Sequence, residues 1–193
     1  IIAATCIVLG FGGVALPAYI VVSIFAAPAL QKMGISLEQA HFFVMFTTVF
    51  AFVTPPIAVA ALIASRLAQS NYVETAIEAV KVSVAGFLLP FMFIYVPILL
   101  LQPQEPARAV TGILGTVAIL LAVQFSFVGY FLTTCSGAER VLWLGVAALL
   151  FSFLTVGVYL LFAMGTTFFI LLTFWQWRKK VSLRARNPSP EQN

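Results

Sequence analysis

Long apolar runs separated by short polar connectors organise the chain. The first run covers residues 1–30 and carries a glycine-rich interruption, "GFGGVALP". The connector "QKMGISLEQAH" leads to a second run at 42–67, which is interrupted by "VTPP". A third run occupies 82–101 and a fourth 110–132, with the two-proline loop "QPQEPAR" between them. Runs longer than about 18 apolar residues have the length of a bilayer crossing. Between the second and third runs, "AQSNYVETAIEAVK" puts Tyr72, Ala76, Ala79 and Val80 on one helical face, which predicts a surface-lying amphipathic segment. Pro90 and Pro97 predict kinks in the third span. After the fourth, "TTCSGAER" offers Ser136 as a helix cap. The last stretch, 141–177, would measure roughly 55 Å as one straight helix. That is too long for a hydrocarbon core of about 30 Å. The expectation is two spans joined by a tight turn near 155–157, the second ending on the interfacial aromatics Trp175 and Trp177.

Composition turns this pattern into a class. Hydrophobic residues make up 62% of the chain and charged ones 8%, whereas a soluble domain is about half apolar and about a quarter charged. The chain reads as an all-α integral membrane protein. Five of the ten basic residues lie in "RKKVSLRAR", residues 178–186, followed by the polar tail "NPSPEQN". A basic cluster just beyond a span marks the cytoplasmic side and suits anionic lipid headgroups; its juxtamembrane position argues against nucleic acid. Counting back from a cytoplasmic C-terminus puts Arg140, Lys81 and Arg66 inside. It also puts both ends of the first run outside, so that run becomes a re-entrant helical hairpin. Lys32 and Arg108 are the exceptions to the positive-inside tendency. The opening "IIAATCIVLG" has neither Met nor a basic flank and reads as the interior of a longer chain, with the N-terminal half missing. Cys6 and Cys135 read as small core residues rather than a metal or redox pair.

Chemistry is sparse. All six acidic residues are glutamates in connectors or the tail, and the one histidine, His41, sits at a segment edge. No carboxylate or imidazole is offered at membrane depth, and no nucleophile–base set, metal cluster or phosphate loop is present, so an enzyme is not expected. What remains is backbone. "GFGGVALPA" (10–18) and "VTPP" (53–56) are irregular stretches inside apolar runs. Such backbone is tolerated at membrane depth only where protein buries it or where it lines a wet cavity. Two broken elements meeting there point to a transporter site, with freed carbonyls for a cation and helix N-termini for an anion. A plain proline kink beside a glycine-packed interface is the alternative.

"GFGGVALPAYIVVSIFAAPALQKMGISLEQAHFFVMFTTVFAFVTPPIAVAALIAS", followed by "AVKVSVAGFLLPFMFIYVPILLL", resembles the C-terminal half of the large membrane subunit of TRAP transporters, and most of all the TAXI-type fused permeases. "GYF" near residue 130 and "ER" at 139–140 resemble the C-terminal extension of that group. The resemblance implies an elevator-type secondary transporter of the bacterial inner membrane, taking up an organic acid from a periplasmic substrate-binding protein with Na⁺ as coupling ion and no other cofactor. It divides the chain into a second inverted-repeat half at 1–101 (hairpin 1–30, discontinuous Pro-Pro helix 42–67, span 82–101), a transmembrane extension at 102–177 and a basic tail at 178–193. Carried over by position, Gly12, Gly13, Val14 and Ala15 are hairpin-tip residues, and Phe52, Val53, Thr54 and Pro55 form the unwound stretch. Both groups line the implied site, with Na⁺ at Gly12, Val53 and Thr54. The family commonly has "PTT" where this chain reads Val14-Ala15-Leu16, and Asn where it has Phe52. Ligation here therefore falls to carbonyls and the Thr54 hydroxyl. A non-transporting scaffold subunit is the rival expectation.

Overall fold

The computed structural model describes residues 1–11 and 15–186. Among the described residues it is all-α: eight α-helices, two short 3-10 turns and one isolated bridge. Five helices are long and apolar enough to cross a membrane: Ala15–Lys32, Tyr72–Tyr95, Pro106–Val128, Gly137–Val156 and Tyr159–Leu183. They present large apolar side chains outward, Phe25, Val82, Leu114, Leu142 and Ile170 among them. Such contiguous apolar surface is what lipid covers, and the protein is an all-α integral membrane protein. The chain divides into two compact units, Ile1–Ile113 and Leu114–Asn193.

In the first unit, α1 (Ile2–Gly10) and α2 (Ala15–Lys32) form the two arms of a hairpin. The buried residues of α2 recur at four-residue spacing, Ala18, Val22, Ala26 and Leu30, the stripe a helix needs to pack along one side. Val22, Ala26 and Leu30, with Ala27, meet Cys6 of α1 and Ala40, Phe43 and Val44 of α3 (Leu37–Val49). Gly34, at φ +85°, lets the chain turn out of α2: Ile35 N–H donates to Leu30 O and Gly34 N–H to Gln31 O, the paired bonds of a glycine C-cap. Ser36 then starts α3 with a capping box, its Oγ accepting from Gln39 N–H at 3.3 Å while Gln39 Oε1 accepts from Ser36 N–H at 3.1 Å. The edge histidine, His41, ties α3 to α2 through Tyr19, Oη to Nδ1 2.9 Å.

After α3 the chain tightens into a 3-10 turn, Phe50–Val53, and passes through an extended Thr54 into a turn at Pro55–Ile57, where Ala58 N–H donates to Thr54 O at 3.2 Å. It then re-enters helix as α4 (Val59–Leu67). α5 spans Tyr72–Tyr95 without interruption. This corrects the expectation of a surface segment over 68–81 separate from a span at 82–101. Asn71 caps α5, its Oδ1 accepting from Val73 N–H at 2.8 Å, and Glu74, Glu78 and Lys81 are accommodated on its less buried sides. The small residues Ala58, Ala61 and Ala76 form the seam between α4 and α5. α5 passes through Pro90 and stops before Pro97, where a second 3-10 turn, Pro97–Leu100, replaces the expected continuation to 101.

The second unit comprises the larger part of α6 (Pro106–Val128), a compact loop, α7 (Gly137–Val156) and α8 (Tyr159–Arg186). α6 ends at Val128 rather than 132. Gly157, at φ +77°, divides the long apolar stretch, and its N–H donates to Phe153 O at 2.7 Å. Trp143 sits fully buried among Phe125, Phe131 and Phe169. α8 carries the basic cluster on as helix to Arg186 rather than ending at 177; residues 187–193 of the expected tail lie outside the described residues.

One glutamate departs from the sequence reading. Glu139 is 3% exposed. It closes a capping box with Ser136, accepts from Gln176 Nε2 at 2.9 Å and pairs with Lys179 Nζ at 2.8 Å. Lys179 Nζ also donates to Thr134 O at 3.1 Å. The basic residue expected in a free tail is instead the clasp that fixes the 129–136 loop to the end of α8.

Candidate functional site

Two prolines in succession decide the chemistry of the break after α3. Neither has an N–H. Helical pairing would ask residue 55 to serve the carbonyls of Ala51 or Phe52, and residue 56 those of Phe52 or Val53. Ala51 O finds Thr54 N–H at 3.2 Å instead. Phe52 O and Val53 O receive no hydrogen bond from any described residue. Thr54 turns extended, at φ −96° and ψ 125°, and its hydroxyl donates back to Phe50 O at 2.8 Å. That leaves the lone pairs of Thr54 Oγ1 open, on the residue directly after the two free carbonyls.

The same lesion elsewhere in this unit is repaired. Pro97 withholds the N–H that would serve Phe93 O or Ile94 O. The buried amide of Gln39 takes its place, with Nε2 donating to Phe93 O at 2.9 Å and to Ile94 O at 3.1 Å. Past the break, Pro56 O and Ile57 O are both met by the Tyr72 hydroxyl at 2.7 Å. The unmet pair is Phe52 and Val53, half-buried beside the exposed Pro55, Pro56 and Ile57.

The far side of the break is bare in the opposite sense. The N-cap position of α4 is Ala58, a non-glycine residue held at φ 39° and ψ 60°, which offers no side-chain cap. α3, α5 and α7 each start on a capping side chain: Ser36, Asn71 and Ser136. The first N–H groups of α4 therefore keep their partial positive charge unshared.

Two glycines bring neighbours close to this segment. A Cβ on Gly10, the last residue of α1, would sit 2.5 Å from Ala51 Cβ and 3.0 Å from Thr48 O. The end of the first hairpin arm thus abuts the 3-10 turn backbone to backbone. A Cβ on Gly86 of α5 would overlap the Phe50 ring, which also packs against Phe87 with centroids 5.0 Å apart.

Of the eight residues singled out from the sequence, Phe52, Val53, Thr54 and Pro55 form the break itself, and Ala15 opens α2. Gly12, Gly13 and Val14 lie outside the described residues. Gly10 opens the glycine-rich stretch 10–18 that the sequence singled out; sequence reasoning missed Gly86, Ala58 and Tyr72 as neighbours of the break. An isolated glycine in an apolar helical run is a recognisable sign of close packing; the left-handed Ala58 and the reach of Tyr72 leave no such sign. Among the described residues, no group of three or more His, Cys, Asp or Glu side chains is placed to hold a metal. The groove of about 350 Å³ between α1 and α2 is apolar apart from Thr5, whose hydroxyl is bonded to Ile1 O.

A multi-pass helical membrane protein, with a hairpin packed against a helix interrupted by free backbone polar groups, has the anatomy of a membrane transport protein. The family model for the tripartite ATP-independent periplasmic transporter, DctM component, matches residues 1–108, and the chain belongs to that family. It is a permease component of a TRAP transporter. No curated protein and no solved structure matches the chain. The family match covers the elements that build the break, whereas α7, α8 and the Glu139 clasp lie beyond it.

Proposed function

We propose that this permease carries an organic acid across the bacterial inner membrane, driven by Na⁺ and supplied by a periplasmic substrate-binding protein, with its C-terminus in the cytoplasm. The observation that carries the reading is the contrast between prolines: Gln39 fills the gap made by Pro97, and no described residue fills the gap at Phe52 and Val53. An unpaired carbonyl out of water costs on the order of 1–3 kcal/mol. A pair of them, with the Thr54 hydroxyl alongside, makes a ligand set for a hard cation that prefers oxygen. The uncapped start of α4 supplies the complementary pole for a carboxylate. The hairpin tip beyond Gly10 completes the site in this reading, and the hairpin and broken helix move together as the elevator.

The test is uptake into proteoliposomes holding the full-length permease with its partner components. A panel of radiolabelled organic acids would be tried with Na⁺ and with choline in its place. Uptake should require both the binding protein and Na⁺, and Thr54→Val should raise the Na⁺ half-saturation. Equal uptake in choline removes the coupling claim. No uptake of any acid, with partner complexes intact, favours the scaffold reading, which the apolar side chain of Phe52 motivates.

A further inference from the structure

We propose that Tyr72 is a positioning residue for the ion site, acting on the free carbonyls through the two prolines; the inference rests on the Na⁺-site reading above. A carbonyl ligand has no rotamer of its own, so its direction is set by backbone torsions and by whatever anchors the neighbouring residues. Thr54 is held by its N–H on Ala51 O, its hydroxyl on Phe50 O and the Ala58 N–H on its own carbonyl. Beyond Thr54 the anchor of the proline turn is Tyr72, whose hydroxyl lies 2.7 Å from both Pro56 O and Ile57 O and shares its one proton between them. No other described donor reaches either oxygen. Pro55 and Pro56 have φ locked near −65°, so few soft torsions separate the anchored carbonyls from Val53 O. A displacement at Pro56 is therefore transmitted to Thr54, whose N–H shares a peptide plane with Val53 O, and works against the bonds that hold it.

Tyr72 is itself well fixed. It is the first residue of α5, directly after the Asn71 cap, whose Oδ1 takes the Val73 N–H at 2.8 Å. Its ring packs on Ala58, Ala61 and Ala76, the seam on the far side of the break. One side chain therefore holds the proline turn by its hydroxyl and the start of α4 by its ring. Because Pro56 and Ile57 are exposed, water can take over the lost hydrogen bond in Tyr72→Phe, and the ring contact survives. The variant should loosen the site without unfolding it.

The experiment is equilibrium binding of ²²Na⁺ to the purified full-length permease in lipid nanodiscs, wild type against Tyr72→Phe, with unfolding midpoints measured in Na⁺-free buffer. Loss of one positioning hydrogen bond should raise the Na⁺ half-saturation roughly three- to tenfold. The number of bound ions and the unfolding midpoint should stay unchanged. Wild-type half-saturation in Tyr72→Phe overturns the proposal and leaves the ion site standing. A lowered midpoint with unchanged half-saturation, or a variant that only aggregates, makes Tyr72 a structural residue and also overturns it. Wild-type protein without saturable Na⁺ binding overturns the ion site and this inference together.

Discussion

Replacing Gln39 tests whether the repaired proline gap is as important to stability as its geometry implies. Gln39 is 6% exposed, and its Nε2 serves Phe93 O and Ile94 O while its Oε1 takes the Ser36 N–H. Methionine has nearly the same length and no donor, so Gln39→Met removes three hydrogen bonds with little change in volume. The buried Phe93 O is left unmet at about 1–3 kcal/mol. Ile94 O and Ser36 N–H are only partly buried and can recruit water, at roughly 0.5–1 kcal/mol each. The apolar side chain recovers about 1 kcal/mol through burial. The net loss is about 1–4 kcal/mol, which for a chain of this size lowers the unfolding midpoint by roughly 2–4 °C per kcal/mol lost. Gln39→Glu is the sharper comparison. It keeps the acceptor for Ser36 but turns an ionised carboxylate toward two carbonyl oxygens, so at neutral pH it should unfold at a lower temperature than Gln39→Met. Thermal unfolding of the full-length permease in one detergent, checked by gel filtration, reads both. A methionine variant as stable as wild type, or a glutamate variant more stable than the methionine one, would refute the idea that this amide stands in for the missing proline N–H.

Two further predictions probe other parts of the molecule. Gly10→Ala should force α1 away from the 3-10 turn, because the close atoms are Ala51 Cβ and the Thr48 carbonyl, neither of which can swing aside. Overpacking costs of about 1–3 kcal/mol outweigh a helix-propensity gain of up to about 1 kcal/mol, so the unfolding midpoint should fall, and a midpoint at or above wild type would show that the hairpin arm does not pack against the break. Burial pushes the Cys135 thiol up from its ordinary range, the carboxylate of Glu139 adding to the effect while the Gln176 hydrogen bond opposes it. Its thiolate is therefore scarcer than that of a free cysteine at any given pH. Maleimide should label it slowly in native protein and quickly after denaturation, and the stability its burial confers should persist below the ordinary thiol range and fade as pH rises through the elevated one; fast native labelling at neutral pH would contradict this.

The spans were legible because a bilayer crossing needs length and apolarity, and both are local properties. Gly157 was legible for a related reason: no single helix fits the 141–177 stretch. Ser136 carried its own sign, a cap three residues before Glu139. The start of α5 was not legible, since Glu74, Glu78 and Lys81 look like the polar face of a separate surface helix until Asn71 is seen to cap one continuous helix. Glu139 read as a connector residue because its partners, Gln176 and Lys179, arrive from the far end of another helix. At the break, the residues that free the carbonyls are adjacent in sequence and were found. Those that decide which carbonyls stay free, Gln39 and Tyr72, are distant or point where no periodicity reports.

On the proposed reading, one break has two poles, and this bears on how coupling arises. α3 and its 3-10 turn end at Val53 with carbonyls that no described residue shares, the negative end of a helical dipole. α4 begins uncapped at Val59, the positive end of the next. Only the short turn Thr54–Ala58 separates them, so a cation on the first pole and an anion on the second would lie close together. Each would lower the cost of holding the other, and binding free energies coupled in this way are reciprocal. A carboxylate should therefore tighten Na⁺ binding by the same factor as Na⁺ tightens the carboxylate. A continuous helix through residues 50–60 would bury both poles in its own hydrogen bonds and lose that linkage, which is a physical reason for two prolines to stand where the apolar pattern alone would ask for none.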